Sequence, residues 1–307
     1  MGNLAIIANP HSYRNRLWPL ASQALRKAAP GAPIFEAATL DDLRRVSALA
    51  LAEKPDVIAI AGGDGTVTHV LTALDAAAAG ADLPALALLG GGAFDSLSAL
   101  GGPGAAEDKL RRLAIELRSG STLVTHERDA LRVDGQLGFR VGVGLPVRFV
   151  EELHARRGRG QWANATLLLR ALASSVVRGP FARKLYEPLD ATVSVDGEEW
   201  PPVPLFGIVC ASVAEAGLGA RPFRRATEQP GFFHVLGLTA GPLAFALELP
   251  RLMLGAPARR DRLLDGIAEV VELQASQPIP FLLDGELRRA GTSLRIGLGP
   301  RVHLVRA

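Results

Sequence analysis

Residues 57–66 read Val57-Ile58-Ala59-Ile60-Ala61-Gly62-Gly63-Asp64-Gly65-Thr66. Five apolar residues with no polar break describe a strand buried on both faces. Three glycines follow, and helical spacing is expected from Val67 to Ala79. Glycine lets backbone or phosphate approach with no Cβ in the way. A helix N-terminus then offers unpaired N–H groups and a positive dipole end to an anion. The plain alternative is a tight turn with Asp64 and Thr66 capping the helix. Three glycines are more than such a turn requires, so the phosphate reading is preferred for Gly62, Gly63, Gly65 and Thr66. Asp64 cannot favour a bare phosphate; its expected task is to hold a Mg²⁺ that bridges phosphates, or to orient the loop.

The same alternation extends outward. Leu4 to Ala8 and Leu86 to Leu89 are unbroken apolar strands. Ser12 to Ala28 has helical spacing, and Thr39-Leu40-Asp41-Asp42 fits a capping box opening a helix to about Glu53. Apolar strands separated by helices predict a parallel sheet covered on both sides.

After about Glu127 the texture changes. Arg128 to Val133, Gly138 to Val143, Ala191 to Val195, Leu205 to Ala211, Phe232 to Leu238, Glu269 to Leu273 and Phe281 to Leu283 read as strands. Asp-Gly pairs at 134, 196 and 284 read as hairpin turns. Helices are expected over Ala163 to Val177 and over Leu243 to Leu254, the latter with an internal Pro250. The expected architecture is α/β plus β. A nucleotide-binding α/β domain covers 1–126, a β-rich antiparallel sandwich or barrel with inserted helices covers 127–293, and about 294–307 is a candidate to return to the first domain.

Composition narrows the classes. Hydrophobic residues make up 48% and charged residues 21%, which fits a globular chain with a real core. The lone cysteine, Cys210, excludes an internal disulfide or a cysteine-built metal site. It fits a reducing compartment, and the expected location is cytoplasmic. No signal peptide or membrane-length apolar run is visible. Net charge is +3, and only four of 34 basic residues are Lys. Aromatics at 5%, without interleaved basic residues, argue against a nucleic-acid module.

Further motifs carry a resemblance. Asn9-Pro10-His11-Ser12 ends the first strand. Gly90-Gly91-Gly92-Ala93-Phe94-Asp95, then Ala99-Leu100-Gly101, follows the third. Asp284-Gly285-Glu286 follows Pro280-Phe281. Together with the glycine turn, these make the chain resemble the diacylglycerol kinase catalytic-domain family, which includes bacterial lipid kinases and the sphingosine and ceramide kinases. The glycine motif is shared with NAD kinases. The resemblance implies ATP and Mg²⁺, and a hydroxyl of a diacylglycerol, ceramide or sphingoid-type lipid as acceptor. It implies a nucleotide site at Asn9, Pro10, His11, Ser12, Thr39, the glycine turn, Thr68, Gly91, Gly92 and Asp95. It makes Asp284 and Glu286 the carboxylates that act on the acceptor hydroxyl. The residues alone cannot choose them, because Asp196-Gly197-Glu198 is a second copy of the motif.

The chain departs from the family at several places. Thr68-His69 stands where Asn-Glu is usual, Gly92 and Phe94 stand for Thr and Asn, and Tyr13 follows Ser12 in place of glycine. Gln229-Pro230-Gly231 replaces an acidic segment that holds a structural Mg²⁺ in relatives. Two alternatives therefore stay open: an NAD kinase-like phosphotransferase, and a non-catalytic nucleotide- or lipid-binding regulator. A lipid substrate implies peripheral membrane contact. Arg156-Arg157-Gly158-Arg159 beside Trp162, and Arg221, Arg224 and Arg225, are basic clusters suited to an anionic interface, or simply exposed basic loops. A homodimer is left open.

Overall fold

A computed structural model describes residues 2–12, 20–92, 96–155, 180–216, 219–259 and 262–306. The chain divides into two compact units, residues 1–128 with 300–307, and residues 129–299. The first is α/β with a parallel sheet. The second is antiparallel β with added helices.

In the first unit β1 (Leu4–Ala8), β2 (Ile34–Glu36), β3 (Val57–Ala61) and β4 (Ala85–Leu88) lie in the order β2-β1-β3-β4, all parallel. The chain's last strand, β16 (Ser293–Val305), starts in the second unit and ends here, with Leu304 paired in parallel to Leu86. Every residue of β3 is buried, as its unbroken apolar run requires. Each Ile or Val so removed from water contributes roughly 1.5–3 kcal/mol.

Four helices clothe this sheet. Leu25 and Ala28 of α1 (Leu20–Ala28) and Leu110, Leu113 and Leu117 of α4 (Ala106–Ser119) pack on Ile6, Ala8, Val57 and Ala59. Helices α2 (Leu40–Ala52) and α3 (Asp64–Ala78) pack on each other and lie against β1 and β3. The capping box of α2 forms as expected between Thr39 and Asp42. Helix α3 begins at Asp64, three residues before Val67. Gly63 is its cap, and Val67 N donates to Gly63 O at 3.1 Å to close the first turn. Asp64, Gly65 and Thr66 of the glycine turn are therefore helix. Because the strands are parallel, the segments leaving β1, β3 and β4 emerge at one edge, the usual ligand edge of such sheets.

The second unit holds two antiparallel sheets. One runs β12 (Leu263–Ala268), β11 (Phe233–Leu238), β10 (Gly207–Ala211), β7 (Arg140–Gly144), β14 (Pro280–Leu283), β15 (Glu286–Arg289). The other joins the start of β16 to β13 (Val270–Ala275), β8 (Ala191–Val195) and β9 (Glu198–Glu199). Strand β5 (Thr125–Val133) pairs with β16 and with β6 (Gln136–Gly138). Val141, Ile208, Cys210, Phe233 and Phe281 from one sheet pack with Val193, Val271, Leu273 and Ile296 from the other. Burial in this core pushes the Cys210 thiol well above its usual pKa.

The Asp-Gly pairs at 134, 196 and 284 are two-residue hairpin turns, joining β5 to β6, β8 to β9 and β14 to β15. Asp134, Asp196 and Asp284 all take positive φ, as do the glycines after them, the pattern of a type I′ turn. Helices α5 (Leu145–Ala155), α6 (Pro180–Leu185) and α7 (Pro242–Met253) complete the unit as described. The helix expected over 163–177 and the Arg156–Arg159 loop with Trp162 lie outside the described residues. No helix among the described residues is long and apolar enough to cross a membrane.

Candidate functional site

The segments after β1, β3 and β4 meet at the edge of the first unit. Asn9 ties two of them. Its Oδ1 accepts the His11 backbone N–H at 2.9 Å, and its Nδ2 donates to Thr66 Oγ1 at 3.1 Å. The glycines decide how close the third can come. A Cβ on Gly63 would stand 2.8 Å from Gly92 Cα, and one on Gly91 would stand 3.3 Å from both Gly62 Cα and Ser12 Oγ. One on Gly62 would overlap the Thr66 side chain at 2.6 Å. Gly91 also holds φ +147°, which side-chain-bearing residues rarely adopt. The result is a cradle of bare backbone beside the start of α3, where no side chain caps the first turn.

Ser12 belongs to this cradle. Its hydroxyl is buried and has no hydrogen-bond partner among the described residues. Such a group costs roughly 1–3 kcal/mol and calls for an explanation. A phosphate oxygen arriving at the cradle would satisfy it.

Asp64 orients the loop. Its Oδ2 accepts both the backbone N–H of Ser96, at 3.1 Å, and the Ser96 hydroxyl, and its Oδ1 accepts the Leu97 N–H at 3.1 Å. The carboxylate thus fastens the start of α3 to the chain leaving β4. Lys109 backs the same chain from below, with its buried Nζ donating to Ser98 O at 2.9 Å and to Leu88 O at 3.5 Å.

Other expected nucleotide residues stand apart. Thr68 is 1% exposed, and its hydroxyl donates to Asp64 O at 3.1 Å. Its place on α3 turns the side chain inward, where the carbonyl four residues back satisfies it, so Thr68 supports the helix and does not face a ligand. Thr39 spends its hydroxyl twice on Asp42, accepting from the backbone at 3.1 Å and donating to Oδ2 at 2.9 Å. His11 is exposed at the turn after Pro10. Asp95 lies outside the described residues.

In the second unit the two Asp-Gly-Glu copies use one device. Asp284 accepts Phe139 N at 3.0 Å on Oδ2 and Arg140 N at 3.0 Å on Oδ1, with Arg140 Nε at 3.5 Å. Asp196 Oδ1 likewise accepts Glu269 N and Val270 N, both at 2.9 Å. Each turn aspartate clamps a bend in a neighbouring strand. The copies differ in depth, since the Asp284 side chain is 0% exposed whereas Asp196 is exposed. Gly138 makes that depth reachable, because a Cβ there would stand 2.6 Å from Asp284 Oδ2. Glu286 is 37% exposed and pairs with Arg288, whose Nε donates to Gln136 Oε1 at 3.1 Å. The hairpin therefore presents one carboxylate to solvent and locks the other inside.

Residues 3–123 match the family model described as the diacylglycerol kinase catalytic domain. Three solved structures from Bacillus anthracis str. Sterne share the fold beyond that span. One is described as a candidate diacylglycerol kinase, with a TM-score of 0.77 and 18% identity, covering 100% of this chain and 97% of that one. Another, described as a diacylglycerol kinase, gives 0.67 and 15%, and a further candidate diacylglycerol kinase gives 0.71 and 17%, both with the same coverage. None of the curated proteins matches this chain.

The cradle fits the phosphates of a nucleotide on two observations, the backbone approaches that a Cβ would fill and the partnerless Ser12 hydroxyl. Among the described residues no group of three or more His, Cys, Asp or Glu is arranged to hold a metal ion. Ser96, Leu97 and Lys109 were not marked by the sequence reading. Lys109, one of only four lysines, offered a signal; Ser96 offered none, because its partner Asp64 lies 32 residues away.

Proposed function

We propose that this chain is an ATP-dependent lipid kinase that phosphorylates a hydroxyl of a diacylglycerol, ceramide or sphingoid-type lipid. The observation that carries the reading is the glycine cradle with the buried, partnerless Ser12 hydroxyl beside the N-terminus of α3. Backbone N–H groups at such an N-terminus bind phosphate without a side-chain charge. The match of residues 3–123 to the diacylglycerol kinase catalytic domain supports the choice of chemistry.

In the proposed reaction the acceptor oxygen bonds to the γ-phosphorus as the bond to the β–γ bridging oxygen breaks, and ADP leaves. The hydroxyl proton passes to a carboxylate of the acidic hairpin. Glu286, the exposed member, is the one a hydroxyl can approach without displacing backbone clamps. Asp284 holds Phe139 and Arg140 in place beneath it. Mg²⁺, when bound with ATP, would neutralise phosphate charge. Cradle positioning and a nearby base are what this chemistry asks of a protein.

The test is transfer of labelled phosphate. Purified protein is incubated with labelled ATP, Mg²⁺ and mixed micelles of diacylglycerol, ceramide, sphingosine and monoacylglycerol. Label on a lipid is the expected result. Label on added NAD in place of a lipid would assign the NAD kinase reaction, and ATP or lipid binding without turnover would assign a regulator.

A further inference from the structure

Helix α7 (Pro242–Met253) is apolar on two opposite faces. Its inner face places Phe245 and Leu252 in a cluster with Leu238 and Leu263. Its outer face carries Leu243, Leu247, Pro250 and, just past the end, Leu254, spaced four, three and four residues apart. That spacing lines them in one stripe. Leu247 is 62% and Leu254 86% exposed, with Leu243 and Met253 exposed beside them. Among the described residues of the second unit, Val203 is the one other large apolar side chain so exposed. A surface helix ordinarily turns polar residues outward. The exposed apolar side chains of this unit are gathered on one helix.

Arginines rim the stripe. Glu248 of α7 is fully buried, and three guanidiniums converge on its carboxylate, Arg251 at 3.6 Å, Arg262 at 3.6 Å and Arg259 at 3.9 Å. Arg221 stands at the helix end, where its backbone N–H donates to Met253 O at 3.0 Å, and its side chain meets Glu215. Among the described residues, four guanidiniums against two carboxylates leave a positive excess around the leucines. Glu248 holds that charge beside the helix.

We propose that the outer face of α7 seats on an anionic lipid surface, with Leu243, Leu247 and Leu254 entering the apolar boundary and Arg251, Arg259 and Arg221 meeting phosphates. An apolar stripe flanked by basic side chains is the arrangement of an interfacial helix. Arginine forks suit lipid phosphates. A second copy of the chain is the poorer occupant, because a two-fold contact here would set the arginine cluster against itself.

The inference stands apart from the kinase chemistry, and its test uses neither ATP nor acceptor. The full chain is sedimented with vesicles of phosphatidylcholine alone and of phosphatidylcholine with phosphatidylglycerol. Wild type is expected to bind the anionic vesicles and to bind the neutral ones weakly. Leu243→Glu/Leu247→Glu should weaken binding at least about tenfold with an unchanged melting temperature, since both side chains are already in water. Arg251→Gln should weaken anionic binding about fivefold and leave the neutral vesicles unaffected. Absence of vesicle binding by wild type, or equal binding by the leucine variant, overturns the proposal. So does a dimer in sedimentation equilibrium that the leucine variant splits. Phosphorylation of a short-chain, water-soluble acceptor should be the same in both proteins, which keeps failure of this surface distinct from failure of the kinase reading.

Discussion

Asp64 Oδ1 accepts the backbone N–H of Leu97 at 3.1 Å, so the first residue of α3 holds the chain that leaves β4. Ser96 gives its N–H and hydroxyl to the other oxygen. Asp64→Asn sets an amide NH₂ against one of these donors. The expected loss is about 1–3 kcal/mol of stability. ATP affinity should fall about tenfold as the cradle loosens, by roughly 1.4 kcal/mol. Chemical unfolding and ATP titration check the two together; an unchanged unfolding midpoint refutes the anchor.

Ser12 separates binding from stability. Its buried hydroxyl bonds nothing among the described residues, so Ser12→Ala removes no hydrogen bond seen there. Stability should hold or rise by up to about 1 kcal/mol. ATP affinity should drop roughly tenfold or more, the worth of one hydrogen bond to a charged group, about 1.5–3 kcal/mol. Thermal melting with and without ATP reads both, and a destabilised variant with normal ATP affinity contradicts the assignment.

Gly63→Ala tests the backbone approach directly. The new Cβ would stand 2.8 Å from Gly92 Cα, and neither backbone can swing away like a side chain. Steric insertion of this kind costs about 1–3 kcal/mol. Gly266→Ala is the control, since a Cβ there meets nothing within 4 Å. Nucleotide binding should be lost in the first variant and kept in the second.

The twin acidic turns should respond differently to the same change. Asp284 uses both oxygens on backbone N–H groups, so Asn there must point an NH₂ at a donor. Asp284→Asn should cost about 1–3 kcal/mol. Asp196 uses Oδ1 alone, which an asparagine carbonyl can replace, so Asp196→Asn should cost under about 1 kcal/mol. Glu286→Gln should leave unfolding unchanged and cut phosphoryl transfer about 100-fold or more. Full transfer by Glu286→Gln would remove it from the proposed reaction.

Acid should weaken the β11–β12 edge. Burial alone would raise the Asp265 carboxyl, but the hydrogen bond with His234 and the charges of His234 and Arg224 outweigh it and hold the group at about 2, below the usual 3.8. A carboxylate lowered by folding gives its full stabilisation above its unfolded value, and the gain fades as the pH falls toward 2. Asp265→Asn should therefore lower stability at pH 7 by roughly 1–2 kcal/mol, with the difference from wild type shrinking between about pH 4 and 2. Urea unfolding across that range is the measurement. A difference that grows on acidification has the wrong sign.

Much of the fold was written in local chemistry. The unbroken run Val57–Ala61 required a strand buried on both faces, and β3 is that strand. Thr39 and Asp42 form their capping box, and three Asp-Gly pairs form three hairpin turns. These features are set by residues within a few positions of one another, so sequence reveals them. Helix α4 was legible by the same rule, through Leu110, Leu113 and Leu117, although no assignment was made there.

What a side chain does once the chain is folded depends on partners far away in sequence, and there the sequence was silent. It could not show that Asp64 would fasten Ser96 and Leu97, that Thr68 would turn inward, or that Ser12 would be left buried without a partner. Nor could it separate the two Asp-Gly-Glu turns. Their local conformation is the same, and only the 145-residue reach from Asp284 to Phe139, past the missing Cβ of Gly138, buries one and leaves the other in water.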